Sequence, residues 1–179
     1  AVVASCGSAG VVCSGGVIGA GCRSLAPSAE AVPHVFSSAP EANVHLAFVA
    51  LRADRGACLD VVSGGEAYKA RLAGFSASKT IFAGVGKTRM EIADAIDHDI
   101  LALNVESPAE LDRISEIASE KRKVARVSVR VNPDVDPQTH PYISTGLKKS
   151  KFGVPAEKVV ELYRRARDLD FIDPVGIQM

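Results

Sequence analysis

The richest concentration of chemically capable residues runs from Arg130 to Gly153 and reads R-V-N-P-D-V-D-P-Q-T-H-P-Y-I-S-T-G-L-K-K-S-K-F-G. It leaves a β-branched segment, Val124 to Val131, through Asn132-Pro133. It ends on Lys151-Phe152-Gly153, where a helical pattern resumes. A polar connection this long in a compact domain is usually a lid or binding loop. Arg130 sits within the strand pattern, where a buried guanidinium needs a partner anion. At a strand end it could instead extend its stem and reach water. His140 and Tyr142 have the chemistry of ligand contacts, although a lone loop histidine is more often simply solvated. Asp60 opens the short apolar strand D-V-V-S and reads either as an active-site acid or as a strand-edge carboxylate in water.

A second motif, G-V-G-K-T at 84–88, resembles a phosphate loop. The Walker pattern requires a glycine where this chain has Ile81, so the frame fails. Two readings of the turn remain. A strand, a glycine turn and a helix N-terminus can bind an anion, or the glycines simply supply the positive φ of a tight turn.

These residues need elements to hold them. Strand-like segments centre near residues 61, 82, 102 and 128, roughly 20 to 26 residues apart, which is the βα repeat of a parallel sheet. The segments expected are strands at 60–63, 80–83, 99–105, 124–131 and from 174 on, with helices at 66–73, from 87, 107–121 and 156–169. Ser107, Pro108 and Glu110 form the signature of a capping box with proline at the first helical position. Leu111, Ile114, Ile117 and Ala118 make the apolar stripe of that helix. Both a doubly wound sheet and a (β/α)8 barrel fit the spacing. A complete barrel needs about 250 residues, so about five strands amount to a partial barrel.

Composition narrows the partners. The 179 residues carry 21 basic and 21 acidic side chains, which argues against nucleic acid or an anionic membrane. Tryptophan is absent and aromatics are 5%, too few for base-stacking platforms. Cys6, Cys13, Cys22 and Cys58 fit no CxxC pair and no zinc spacing, and read as reduced thiols of a cytoplasmic protein. Residues 1–26 lack a basic leader, and Gly15, Gly16, Gly19 and Gly21 break their apolar run. Neither a signal peptide nor a membrane span is expected there.

Four blocks resemble the diaminopimelate decarboxylases in order and spacing. They are G-A-C-L-D-V-V-S-G-G-E at 56–66, F-A-G-V-G-K-T at 82–88, N-V-E-S at 104–107, and the run at 130–153. The likeness covers roughly residues 43–178. It implies a partial (β/α)8 TIM barrel of the fold-type III pyridoxal-phosphate enzymes, the alanine-racemase and ornithine-decarboxylase barrel type. It also implies pyridoxal 5'-phosphate as cofactor, a C-terminal β-domain and a cytoplasmic homodimer. The implied reaction removes CO2 from meso-2,6-diaminopimelate to give L-lysine, a step of lysine biosynthesis. Asp60 matches the family's acid beside the cofactor, and Arg130 an arginine that faces the cofactor from a strand end. His140, Tyr142 and Lys151 fall in the loop over the site.

The likeness has departures. The family's imine lysine lies in Y-A-x-K-A-N, 19 positions before the strand aspartate. Counting back from Asp60, 60 − 19 reaches Glu41, in the string S-S-A-P-E-A-N. Ala42 and Asn43 match, but a glutamate cannot form an imine. Residues 1–40 match poorly, and the expected division is that segment followed by a cofactor-binding barrel portion at 41–179. The phosphate loop, the acid paired with the pyridine nitrogen and the β-domain have no counterpart in this chain. The expectation is therefore weak cofactor binding, no decarboxylation by this chain alone, and an open sheet with two exposed edges. The alternatives are a non-catalytic homologue that binds a partner or the dimer interface, and a nucleotide-binding domain using Gly84 to Lys87.

Overall fold

The computed structural model describes residues 45–55, 57–132 and 152–178, together with the backbone of strands at 2–3, 10–12 and 35–38. Alternation of strand and helix begins with β1 (Val2–Val3), β2 (Gly10–Val12), β3 (Val35–Ser38) and α1 (Leu46–Asp54). It continues through β4 (Cys58–Val61), α2 (Gly64–Leu72), β5 (Thr80–Phe82), α3 (Arg89–Asp97), β6 (Ala102–Val105) and α4 (Pro108–Lys121). The last elements are β7 (Ala125–Asn132), β8 (Val154–Pro155), α5 (Ala156–Asp168) and β9 (Ile172–Gln178).

The strands form one row in the order β1-β3-β4-β5-β6-β7-β9-β2, with β8 beside β7. Every pairing is parallel except that of β1 with β3. Parallel neighbours need a crossover between them, and the helices supply it. Each of three βα turns ends in a hydroxyl residue that caps the next helix. Ser63 accepts from Glu66 N, Thr88 from Glu91 N and Ser107 from Glu110 N. These bonds satisfy backbone N–H groups that the helix itself leaves open.

The row is curled. β4 and β9 are four strand steps apart, which is about 19 Å in a flat sheet. Nevertheless Gln178 Nε2 lies 3.4 Å from Asp60 Oδ2. The backbone of β1 also approaches both β2 and β9 at the far end of the row. The expectation of an open five-strand sheet is thus corrected. The N-terminal strands extend the row at both ends, and the ends converge.

Curling gives the sheet two unlike faces. Leu59, Val61, Phe82, Leu103, Val105, Val127 and Val129 join Ile92, Leu111, Ile114 and Ile117 in the core beneath the helices. The side chains between them face the barrel interior. The expected stripe of α4 is the buried one: Leu111, Ile114, Ile117 and Ala118. The expected strand at 99–105 is shorter, because Asp99 takes a left-handed φ of 52° and β6 starts at Ala102.

β9 contains a bulge that sets its facing. Val127 pairs with Pro174, but Ser128 pairs with Gly176, so Val175 is extra. A bulge is where a strand accommodates proline. The extra residue also reverses the alternation. Without it, Gln178 would share a face with Ile172, on the helix side.

Candidate functional site

Side chains at alternate positions of the inner face are polar: Asp60 on β4, Asn104 on β6, Ser128 and Arg130 on β7, and Gln178 on β9. Asp60, Asn104, Ser128 and Gln178 are at most 3% exposed. Register places Asn104 beside Ser128, and Arg130 beside Gln178. Asp60, Asn104, Arg130 and Gln178 lie toward the C-terminal ends of their strands, the end where barrel enzymes hold their ligands, and Ser128 lies mid-strand.

The contacts are specific. Gln178 Nε2 donates to Asp60 Oδ2 across the barrel. The Ser128 hydroxyl contacts Asn104 Oδ1. Among the described residues no hydrogen-bond partner reaches the buried Asn104 Nδ2. A buried amide left in this state is costly, and it marks a place where a polar ligand would be welcome. Cys58 faces the same interior two residues before Asp60, and burial pushes its thiol up.

Arg130 has the partner anion that burial demands. Its Nη1 donates to Glu106 Oε1 at 2.8 Å, and its guanidinium carbon lies 5.1 Å from the centroid of the Phe152 ring. Of the residues expected at the site, Asp60 and Arg130 are on the same inner face. Glu41, His140, Tyr142 and Lys151 lie outside the described residues.

The G-V-G-K-T segment does different work from a phosphate loop. Gly84 and Gly86 have φ of +91° and +79°, as a tight βα turn requires. Lys87 Nζ donates to Gly84 O at 2.8 Å, Asn104 O at 2.6 Å and Glu110 Oε1 at 2.9 Å. Three acceptors use the whole donor capacity of an ammonium. Glu110 does not close a full capping box. Its side chain instead accepts from Glu106 N at 2.7 Å.

The helix N-terminus after this motif is likewise occupied from within. Glu91 accepts from Thr88 N at 2.9 Å and from Gly64 N at 2.8 Å, so one carboxylate serves α2 and α3. The Thr88 N–H is the larger influence, and with Gly64 it holds the Glu91 carboxyl below its ordinary range. A depressed native value means stability that is present above the unfolded value and lost as pH falls. The stability gap between the chain and Glu91→Gln should therefore shrink as pH drops below about 4.3. Urea midpoints at neutral and acid pH measure it, and a gap that widens would contradict the assignment.

Asn104, Glu106, Ser128 and Gln178 were not singled out from sequence. For the first three the signal is the alternation L-N-V-E and V-S-V-R, matched by L-D-V around Asp60, in which polar residues recur at every second place between buried aliphatics; Gln178 has no such signal.

A curled parallel sheet with a polar inner face, carrying an acid and an arginine at its C-terminal ends, defines an α/β-barrel enzyme class. The family model described as "Pyridoxal-dependent decarboxylase, pyridoxal binding domain" matches residues 22–179. The chain belongs to that family. Diaminopimelate decarboxylase of Aquifex aeolicus is 50% identical over 139 residues, which is 78% of this chain and 33% of the relative. The Pseudomonas aeruginosa enzyme of the same name is 43% identical over 155 residues, 87% of this chain and 37% of the relative. The crystal structure of the Helicobacter pylori diaminopimelate decarboxylase complexed with L-lysine superposes with a TM-score of 0.78 at 42% identity. That match covers 80% of this chain and 36% of the other. The chain thus spans about a third of the length of the relatives it matches.

The family implies pyridoxal phosphate, and the described residues fit its non-covalent contacts. A buried acid, an arginine and an unsatisfied amide suit a planar, polar, anionic molecule. The buried lysine among the described residues is Lys87, whose amine is already engaged, so none of these residues offers a covalent attachment.

Proposed function

We propose that the chain is part of the pyridoxal-phosphate-binding barrel of a diaminopimelate decarboxylase, acting on meso-2,6-diaminopimelate to give L-lysine and CO2. The observation that carries the reading is the joint placement of Asp60 and Arg130 on the polar inner face. Relatives of that name at 43–50% identity support it. The division expected from the sequence, residues 1–40 and then the barrel portion at 41–179, belongs to this proposal. So do the cytoplasmic setting, the place in lysine biosynthesis and the homodimer. Among the described residues no helix is long and apolar enough to cross a membrane.

Asp60 and Arg130 would hold the cofactor, with Asn104 Nδ2 as a further donor. When bound, the pyridine ring supplies an electron sink for the pair released as the carboxylate departs. Gln178 fixes Asp60 by binding Oδ2. A carboxylate held this way in a low-dielectric interior favours a cationic N–H beside it. Arg130 offers a permanent positive charge for an anionic oxygen. Asp60 is buried from water, which strengthens its interaction.

Fluorescence titration with pyridoxal phosphate tests this. Asp60→Asn and Arg130→Gln should each weaken binding by about 10-fold to 100-fold, the range for one charge-assisted hydrogen bond. Equal affinity in all three proteins would remove both residues from the site. Glu41 in place of the family's lysine favours a second reading, a non-catalytic homologue that binds a partner or the dimer interface. A chain that ignores the cofactor yet associates with a full-length homologue would support it.

A further inference from the structure

We propose that Glu106 is a positioning residue that fixes Arg130 and the return of the chain after residue 151 as one unit. The proposal deepens the cofactor-site reading and rests on it for its consequence in binding.

Glu106 follows β6 directly, and its side chain is 3% exposed. Its two oxygens are divided between two segments. Oε1 accepts from Arg130 Nη1 at 2.8 Å, near the end of β7. Oε2 accepts from Gly153 N at 2.9 Å, where the chain re-enters the described fold. Residues 131–152 separate those two contacts in sequence, and that stretch includes the polar run that the sequence marks as a binding loop. One carboxylate therefore holds both ends of it. Phe152, the residue before Gly153, places its ring against the guanidinium of Arg130. The orientation of Arg130 is thus set by Glu106 directly and by Phe152 through the same anchor.

The anchor is itself fixed. The Glu106 backbone N–H donates to Glu110 Oε2 at 2.7 Å, and Glu110 Oε1 is held by Lys87 at 2.9 Å. Lys87 also grips Asn104 O, two residues before Glu106. A carboxylate whose main chain is held at Asn104 O and at its own N–H is restrained from following a moving guanidinium, so the guanidinium must conform to it. Glu106 need not touch the cofactor for this. It acts through Arg130.

The test uses the 15N-labelled chain without ligand, then with pyridoxal phosphate. In Glu106→Gln the Arg130 Nε–H signal should shift, and the Gly153 amide should exchange with solvent about tenfold faster or more, as loss of one charge-assisted bond implies. Cofactor affinity should fall as far as in Arg130→Gln, and the double variant should be no weaker than either single one. A merely structural glutamate would lower the unfolding temperature while leaving the Arg130 signal and the affinity unchanged, and that result overturns the proposal. If Arg130→Gln itself leaves affinity unchanged, the cofactor role of Arg130 falls. The two ligand-free signals then decide the positioning role alone. Should the glutamine variant fail to fold, Glu106→Asp keeps the charge but is one methylene shorter. It should retain one partner and lose the other, and unchanged signals at both Arg130 and Gly153 would refute the unit.

Discussion

Lys87→Met should remove about 3–5 kcal/mol of stability, the cost of breaking a buried ion pair from one side. That is a large fraction of the 5–15 kcal/mol typical of a small domain. The ammonium is 1% exposed and Glu110 opposite it is 10% exposed, so water cannot take over either role. Methionine fills the space of the lysine stem but supplies no donor. It leaves the Glu110 carboxylate and the carbonyls of Gly84 and Asn104 without their shared partner. Chemical unfolding measures the loss. Adding Glu110→Gln should restore part of it, because the stranded charge is then gone. A loss below about 1 kcal/mol would place Lys87 among ordinary surface pairs. ATP should not stabilise the chain, since no donor of Lys87 remains for a phosphate.

The contrast between Lys87 and Arg130 shows what a sequence can carry. Both stand in blocks that match the family, and both are cations near strand ends. The failed Walker frame argued against an ATP site at Lys87, but nothing in G-V-G-K-T names Glu110 or Asn104 O as its partners. Those contacts depend on how two consecutive βα turns lie side by side. Arg130 had to find an anion if buried, and that argument holds, but Glu106 lies 24 residues away, just after the neighbouring strand.

Periodic features were legible. The α4 stripe follows from the 3.6-residue period, and Ser107 caps where its residue type says it should. The full capping box lies elsewhere, at Thr88 and Glu91. Glu110 instead divides its two oxygens between Lys87 and Glu106 N. The polar inner face was written in the alternation of β4, β6 and β7, yet a flat parallel sheet has no use for such a face. Its meaning appears only once the sheet curls. Gln178 was not legible even then, because the parity of β9 depends on the bulge at Val175. Of the strands in the first 40 residues, β1 and β2 precede the segment that the family model matches, and β3 lies within it.

Gly153→Ala is expected to cost more than its conformation alone explains, and a second glycine measures the difference. Gly153 has φ +75°, and Gly74 has φ +83°. Placing any L-residue in this region costs about 1–2 kcal/mol. At Gly74 a new Cβ would meet nothing within 4 Å, so Gly74→Ala should show that cost alone. At Gly153 the same Cβ would lie 3.0 Å from Arg130 O, 3.1 Å from Asn132 N and 3.1 Å from Val131 C. All three are backbone atoms of a paired strand, which cannot rotate aside as a side chain can. The chain must back away from β7, and doing so stretches the Gly153 N–H bond to Glu106 and the pairing of Val131 with Val154. Those losses add roughly 1–3 kcal/mol to the conformational term. Urea unfolding of the two variants gives both numbers, and hydrogen exchange at Val154 shows whether β8 has separated from β7. If Gly153→Ala and Gly74→Ala cost the same, the return segment relaxes without loss, and the close approach at Arg130 is tolerance rather than constraint. If Gly153→Ala costs more and also weakens pyridoxal phosphate binding, the glycine fixes the position from which Arg130 is aimed.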